Sequence, residues 1–207
     1  ECMMNQEISY EELERMVKGI YNSLRVVEIP AEKVAYPYDA LKRIAENSKI
    51  WESFAADKQA IDFIKTLSHL HIVEDDVPSI LADAFARNTN GMLVLAKGRS
   101  RTELDSLLSH ITDSTIYTHE DRTKMLSAPY LVSDLFRFCP ENARKPFADR
   151  LYTHLKEGNY THAQREAIMM APGVYNTLLD AGLPEARLDG LLTETPQLSA
   201  SLRLVKE

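Results

Sequence analysis

Histidine, cysteine and clustered arginine are the side chains of this chain best suited to chemistry, and each occurs in a pattern. The triplet Tyr-Thr-His appears from Tyr117, Tyr152 and Tyr160, which raises the question of a histidine cluster that holds a metal or moves protons. Cys139 stands in RFCPENARKP between Arg137 and Arg144, cations that would lower a thiol pKa and favour a nucleophile. LAKGRSRTEL sets Lys97, Arg99 and Arg101 around Gly98 just ahead of a capped helix, where an anion would meet positive charge and free N–H groups.

What these residues can do depends on the elements that carry them. Apolar residues return at three- and four-residue spacings almost everywhere, and the chain has only 7 glycines, so the pattern predicts a nearly all-α protein. Helix starts are well marked. Ser9-Tyr10-Glu11-Glu12, Ser100-Arg101-Thr102-Glu103 and Thr161-His162-Ala163-Gln164 have the capping-box form, and Thr118-His119-Glu120-Asp121 is a weaker version. Pro37, Pro78, Pro140 and Pro184 each stand where a helix can begin without needing the missing N–H.

The triplets resolve into two registers. Tyr117 and Tyr160 are 43 residues apart, and their surroundings repeat with them: Arg122 with Arg165, Met125 with Ile168, Ala128-Pro129 with Ala171-Pro172, Leu135 with Leu178. The middle triplet instead closes a helix that matches IDFIKTLSHL, TELDSLLSHI and ARLDGLLTET, with His69, His110, His154 and Glu194 at equivalent places. Those four positions are spaced by 41, 44 and 40 residues, a period near 40 that fits two- or three-helix repeat units. Within this helix the columns Phe63/Leu104/Ala148/Leu188, Thr66/Leu107/Leu151/Leu191, Leu67/Leu108/Tyr152/Leu192 and Leu70/Ile111/Leu155/Thr195 form one apolar stripe. Asp105/Asp149/Asp189 and the histidines are expected on its margins.

These features predict four units of about three helices each, near residues 38–70, 75–112, 118–156 and 161–203. Ahead of them, residues 1–37 are read as an N-terminal helical cap, led by a helix over 9–25 and followed by a connector over 26–37. In its period, helix count and repeated apolar columns, the chain over most of 38–203 resembles the armadillo/HEAT class of α-solenoid proteins. The resemblance implies a helical-repeat (α-solenoid) array over 38–207 and carries no functional residues with it.

With the elements placed, metal chemistry loses ground. His69, His110 and His154 in stacked units would stand about 8–10 Å apart, whereas zinc ligands must each come within about 2.1 Å of one ion. His69-Leu70-His71 diverges at a helix end, and no HExxH or CxxC accompanies it. The plain expectation is an imidazolium at each helix C-terminus, stabilised by the macrodipole by about 0.3–1 kcal/mol. No metal, cofactor or catalytic residue is assigned, since the glycines form no phosphate-binding pattern either.

Net charge −7 and a pI near 5.4 argue against broad nucleic-acid contact, and no apolar run is long enough to span a bilayer. Two cysteines, Cys2 and Cys139, point to a reducing, cytoplasmic compartment, and the opening Glu1 to a piece of a longer polypeptide. The function expected is a non-enzymatic protein-interaction module. Its basic residues Lys97, Arg99, Arg101, Arg137, Arg144 and Lys145, on equivalent loops of adjacent units, would take an acidic or phosphorylated segment or a lipid headgroup. Tyr117, Tyr130, Tyr152, Tyr160 and Tyr175 offer a second surface, though inter-unit packing accounts for most of them, and Met169-Met170 reads as core. The alternatives are an all-α enzyme, or accessory domain, with a cleft around Cys139, and a docking domain of a secreted bacterial effector.

Overall fold

The computed structural model describes residue 42 and residues 45–68 and 76–193. The expected helix 9–25 with its Ser9 cap, the connector, Pro37, Cys2, His69, His71, Leu70 and the segment from Glu194 onward lie outside these residues, as do the side chains of Phe63, Thr66 and Leu67.

Among the described residues there are 11 helices and no strand. They are α1 Ser48–Ala55, α2 Ala60–Ser68, α3 Val77–Arg87, α4 Thr89–Ala96, α5 Arg101–Ile111 and α6 His119–Leu126, then α7 Leu131–Arg137, α8 Glu141–Glu157, α9 His162–Met169, α10 Val174–Asp180 and α11 Glu185–Leu192.

Local chemistry explains where the helices start. Ser100 Oγ accepts from Glu103 N–H while the Glu103 carboxylate accepts from Ser100 N–H, and Thr161 and Gln164 make the same reciprocal pair. Thr118 accepts from Asp121 N–H. Each such cap satisfies donors that the first turn leaves free and is worth about 1 kcal/mol. Pro140 and Pro184 are the N-cap residues of α8 and α11, and Pro78 lies in the first turn of α3.

One expectation about a connection is corrected. RFCPENARKP reads as a loop in the sequence, yet α8 begins directly after Pro140 and runs for 17 residues, through Pro146. Proline needs no donor as a cap, whereas Pro146, the sixth residue of α8, forgoes the ladder bond that its N–H would have made to the Asn142 carbonyl. Arg144 and Lys145 are therefore helical residues, and only residues 138–140 connect α7 to α8.

Packing follows a rule of three. α1 packs on α4, α4 on α7 and α7 on α10; α3 packs on α6 and α6 on α9; α2 packs on α5 and α8 on α11. The faces that meet are the predicted stripes: Leu104, Leu107, Leu108 and Ile111 of α5, Ala148, Leu151 and Leu155 of α8, and Leu188, Leu191 and Leu192 of α11 are all buried. Tyr152 is half-buried on the edge of its stripe. Met170 departs from the core reading: Met169 is buried, but Met170 caps the end of α9 and is 70% exposed.

The closest approach joins α1 to α4. Trp51 is fully buried, edge-on to Phe85 at 5.6 Å, and its indole lies over Gly91 so tightly that a Cβ there would come 2.2 Å from Trp51 Cδ1. Gly190 in α11 has nothing within 4 Å of that point. Gly91→Ala is thus expected to lower the unfolding free energy by about 1–3 kcal/mol through overpacking. Gly190→Ala is expected to raise it by about 0.5–1 kcal/mol through helix propensity. Urea titrations followed by the fluorescence of Trp51, the one tryptophan in the chain, check both.

Candidate interaction surface

Arg99 shows how the predicted basic residues divide. Gly98 takes a left-handed turn at φ 73° and sends the next side chain inward. The Arg99 guanidinium then donates to the carbonyls of Ala55, Asp57 and Lys58 beyond the end of α1, and its Nε to Leu95 O at 2.9 Å. Glu103 lies 3.6 Å from it, and only 7% of the side chain is exposed. Arg99 is committed to capping a helix end, where its charge meets unpaired carbonyls and the negative end of the dipole.

Lys97, Arg101, Arg137, Arg144 and Lys145 are exposed. Arg101 opens α5, and Arg144 lies in the second turn of α8 with its Nε donating to Cys139 O at 3.3 Å. Both guanidiniums act on the Cys139 thiol, lowering its pKa against the effect of burial. Arg137 ends α7 with its guanidinium 5.9 Å from the Phe138 ring centre, and Lys145 stands 3.7 Å from Asp149.

Cys139 itself is 3% exposed, and burial raises its pKa despite the two arginines. A buried, protonated thiol is a small hydrophobe, not the activated nucleophile that the sequence context suggested. Among the described residues no group of three or more His, Cys, Asp or Glu side chains could hold a metal ion, and no helix is long and apolar enough to cross a membrane.

The histidines carry out a role that the macrodipole account missed. His110 Nε2 lies 2.7 Å from Tyr117 OH, and His154 Nε2 lies 2.6 Å from Tyr160 OH. Each histidine at the end of a long helix is tied to the tyrosine that precedes the next helix, with the rings edge-on at 5.2 Å. Tyr117 and Tyr160 are 1% and 3% exposed, and burial raises both phenols, Tyr160 to about 12. Burial, with Arg122 and His119, pushes His154 down to about 4, so it is a neutral hydrogen-bonding ring rather than an imidazolium. The sequence signal was present: a tyrosine follows His110 by seven residues and His154 by six, but follows neither His69 nor Glu194 at such a distance.

A polar ladder joins α2, α5, α8 and α11. Lys65 Nζ donates to Ser106 Oγ, Arg150 bridges to Asp105 and Ser109, and Arg187 lies 3.7 Å from Asp149 with its guanidinium 4.5 Å from the Tyr152 ring centre. Between α5 and α8 lies a groove of about 430 Å³, floored by Leu108 and Leu151 and walled by Thr112, Arg150 and His154. The aspartate column was legible as a repeat, but its cations were not, because Arg150 and Arg187 are not equivalent positions.

Tyr130 is the exposed exception among the tyrosines of this region, at 57%, and it holds a left-handed φ of 61° where the following segment has Gly173 at 86°. Its N–H donates to Pro172 O at 3.1 Å, which locks the two turns side by side.

The chain matches no family model, no curated protein and no solved structure. The functional reading therefore rests on the residues themselves.

Two outcomes test the division of labour. Arg99→Ala should cost about 1.5–3 kcal/mol in urea unfolding, as charged hydrogen bonds to buried carbonyls are lost. Lys97→Ala should stay within about 0.5 kcal/mol of wild type. In a Cys2→Ser background, Cys139 should react with iodoacetamide no faster than native-state opening allows and at the rate of a free thiol in urea. Rapid alkylation of the folded protein would restore the nucleophile reading.

Proposed function

We propose that the chain is a non-enzymatic helical-repeat interaction module of about four units, which takes an acidic or phosphorylated segment of a partner protein along the edge marked by Lys97, Arg101, Arg137, Arg144 and Lys145. The observation that carries this reading is that Arg101 at the start of α5 and Arg144, whose Nε donates to Cys139 O, are 43 residues apart, both exposed, and both act electrostatically on Cys139. The packing of most helices on the one three places along supports the repeat interpretation. The same edge lies on a molecule of net charge −7, so it would steer an acidic partner to one place and orientation. Planar guanidiniums are suited to bidentate contact with carboxylate or phosphate oxygens. The acidic balance speaks against nucleic acid as the partner, and the free buried thiol of Cys139 fits a reducing compartment.

Fluorescence anisotropy with a hexaglutamate peptide and a phosphoserine-containing acidic peptide tests the edge directly. Binding should weaken as salt rises from 50 to 300 mM and fall at least tenfold in an Arg101→Glu, Arg144→Glu, Lys145→Glu variant. A control with the same charge change elsewhere, Lys49→Glu, Arg87→Glu, Lys156→Glu, should bind within threefold of wild type. Equal losses in both variants would reduce the effect to net charge and reject the edge.

A further inference from the structure

The two His–Tyr joints repeat one hydrogen bond in opposite electrostatic surroundings. At the first, between α5 and α6, the carboxylates of Asp113 and Asp121 act on the Tyr117 phenol. At the second, between α8 and α9, the groups acting on His154 are Arg122 and His119 of α6. The Arg122 guanidinium lies 5.3 Å from the Tyr160 ring centre, and the His119 ring stands edge-on to Tyr160 at 5.1 Å. Arg122 is buried at 3% exposure and lies 2.9 Å from His119 Nδ1, which accepts its N–H. Position 121, four residues after the first joint's tyrosine, is an aspartate; its counterpart after Tyr160 is Gln164.

Other charged groups of the packed elements are engaged with partners of their own. On α8, Arg150 reaches Asp105 and Ser109 of α5, and Asp149 meets Lys145 and Arg187. On α9, Arg165 donates to the carbonyls of Leu155 and Lys156, and His162 stands 3.7 Å from Glu166. On α6, Asp121 accepts from Ser79 of α3, and Lys124 pairs with Asp83. A proton arriving at His154 therefore meets the charge of a buried guanidinium.

We propose that His154, Tyr160, His119 and Arg122 form an acid-sensitive latch, which holds helices α9–α11 to the helices before them at neutral pH and releases them under mildly acidic conditions. The sign follows from the held state favouring neutral imidazole. The His154 proton affinity is depressed when latched, from about 6.5 to about 4, so release takes up a proton. The latch's contribution is complete above about pH 6.5 and is lost as the pH falls from there toward about 4. Because carboxylates also titrate at the lower end of this window, the test is a difference between variants.

The experiment is urea unfolding and amide hydrogen exchange between pH 7.5 and 4.5 on wild type, His154→Gln and His110→Gln. Glutamine keeps a hydrogen-bonding group near the tyrosine but cannot titrate. Wild type should lose about ten- to fortyfold more of its folded-to-open ratio between pH 6.5 and 4.5 than His154→Gln, with the extra exchange confined to α9–α11. His110→Gln should keep the wild-type pH dependence. Parallel curves for wild type and His154→Gln, equal flattening by His110→Gln, or extra exchange spread over the whole protein would each overturn the latch. Should His154→Gln fail to fold, the wild-type His154 C2 proton resonance decides: a titration midpoint below about 5 supports the latch, and one near 6.5 overturns it.

Discussion

Helix length is the constraint on which the rest of the structure depends. Apart from the 17-residue α8, the described helices have 7 to 11 residues, too short to persist in water by themselves. Each must therefore be held by burial of its apolar stripe, against its neighbours in the chain and, for most, against the helix three places along. That requirement gives one continuous apolar cluster from Ala45 to Leu192 in place of separate small cores. It also explains why bulk is tightly matched where helices approach. Trp51 can lie flat against α4 because position 91 has no side chain.

Short helices also multiply helix ends, and ends bring unpaired carbonyls into the packed region. Arg99 caps the end of α1, Arg165 the end of α8, and Asn88 donates to Ala84 O and Ala45 O between segments. These polar groups contribute by supplying donors to carbonyls at helix ends, since an unsatisfied buried one costs about 1–3 kcal/mol. The His–Tyr joints belong to the same economy. They place a hydrogen bond inside a packed corner where two apolar rings would leave the chain's turn without direction.

Periodicity made the helical class, the buried stripes and most helix starts legible in the sequence, because each depends on residues three or four apart. Asn47 was missed as the cap of α1, although it accepts from Lys49 and Ile50 N–H, because no glutamate or glutamine three residues on completes the box. The path of 141–146 differs from the expected connection because that expectation rested on equivalence with the segment around Gly98, whereas α8 starts directly after Pro140. Among the basic residues, sequence could group Arg99 with Arg101 but not separate them. One turns inward at a left-handed glycine and the other does not, and that distinction is made by backbone conformation rather than by residue type. The charge partners Arg150–Asp105 and Arg187–Asp149 were out of reach for a related reason: they cross between helices about 40 residues apart and do not themselves repeat.

Stripe and margin positions are under different constraints. The described stripe positions of α5, α8 and α11 are nearly all apolar and buried, so they cannot turn polar without loss of the core. Margin positions are held only by whatever neighbour lies across the joint, and they are free to change sign. Asp121 beside one tyrosine and Gln164 beside the next are such a pair, as are Tyr130 and Gly173 at equivalent left-handed turns. A non-glycine residue in that conformation costs about 1–2 kcal/mol, and Tyr130 offsets none of it by burial, being more than half exposed. The proposed basic edge and the proposed His154 latch both draw on margin positions of this kind.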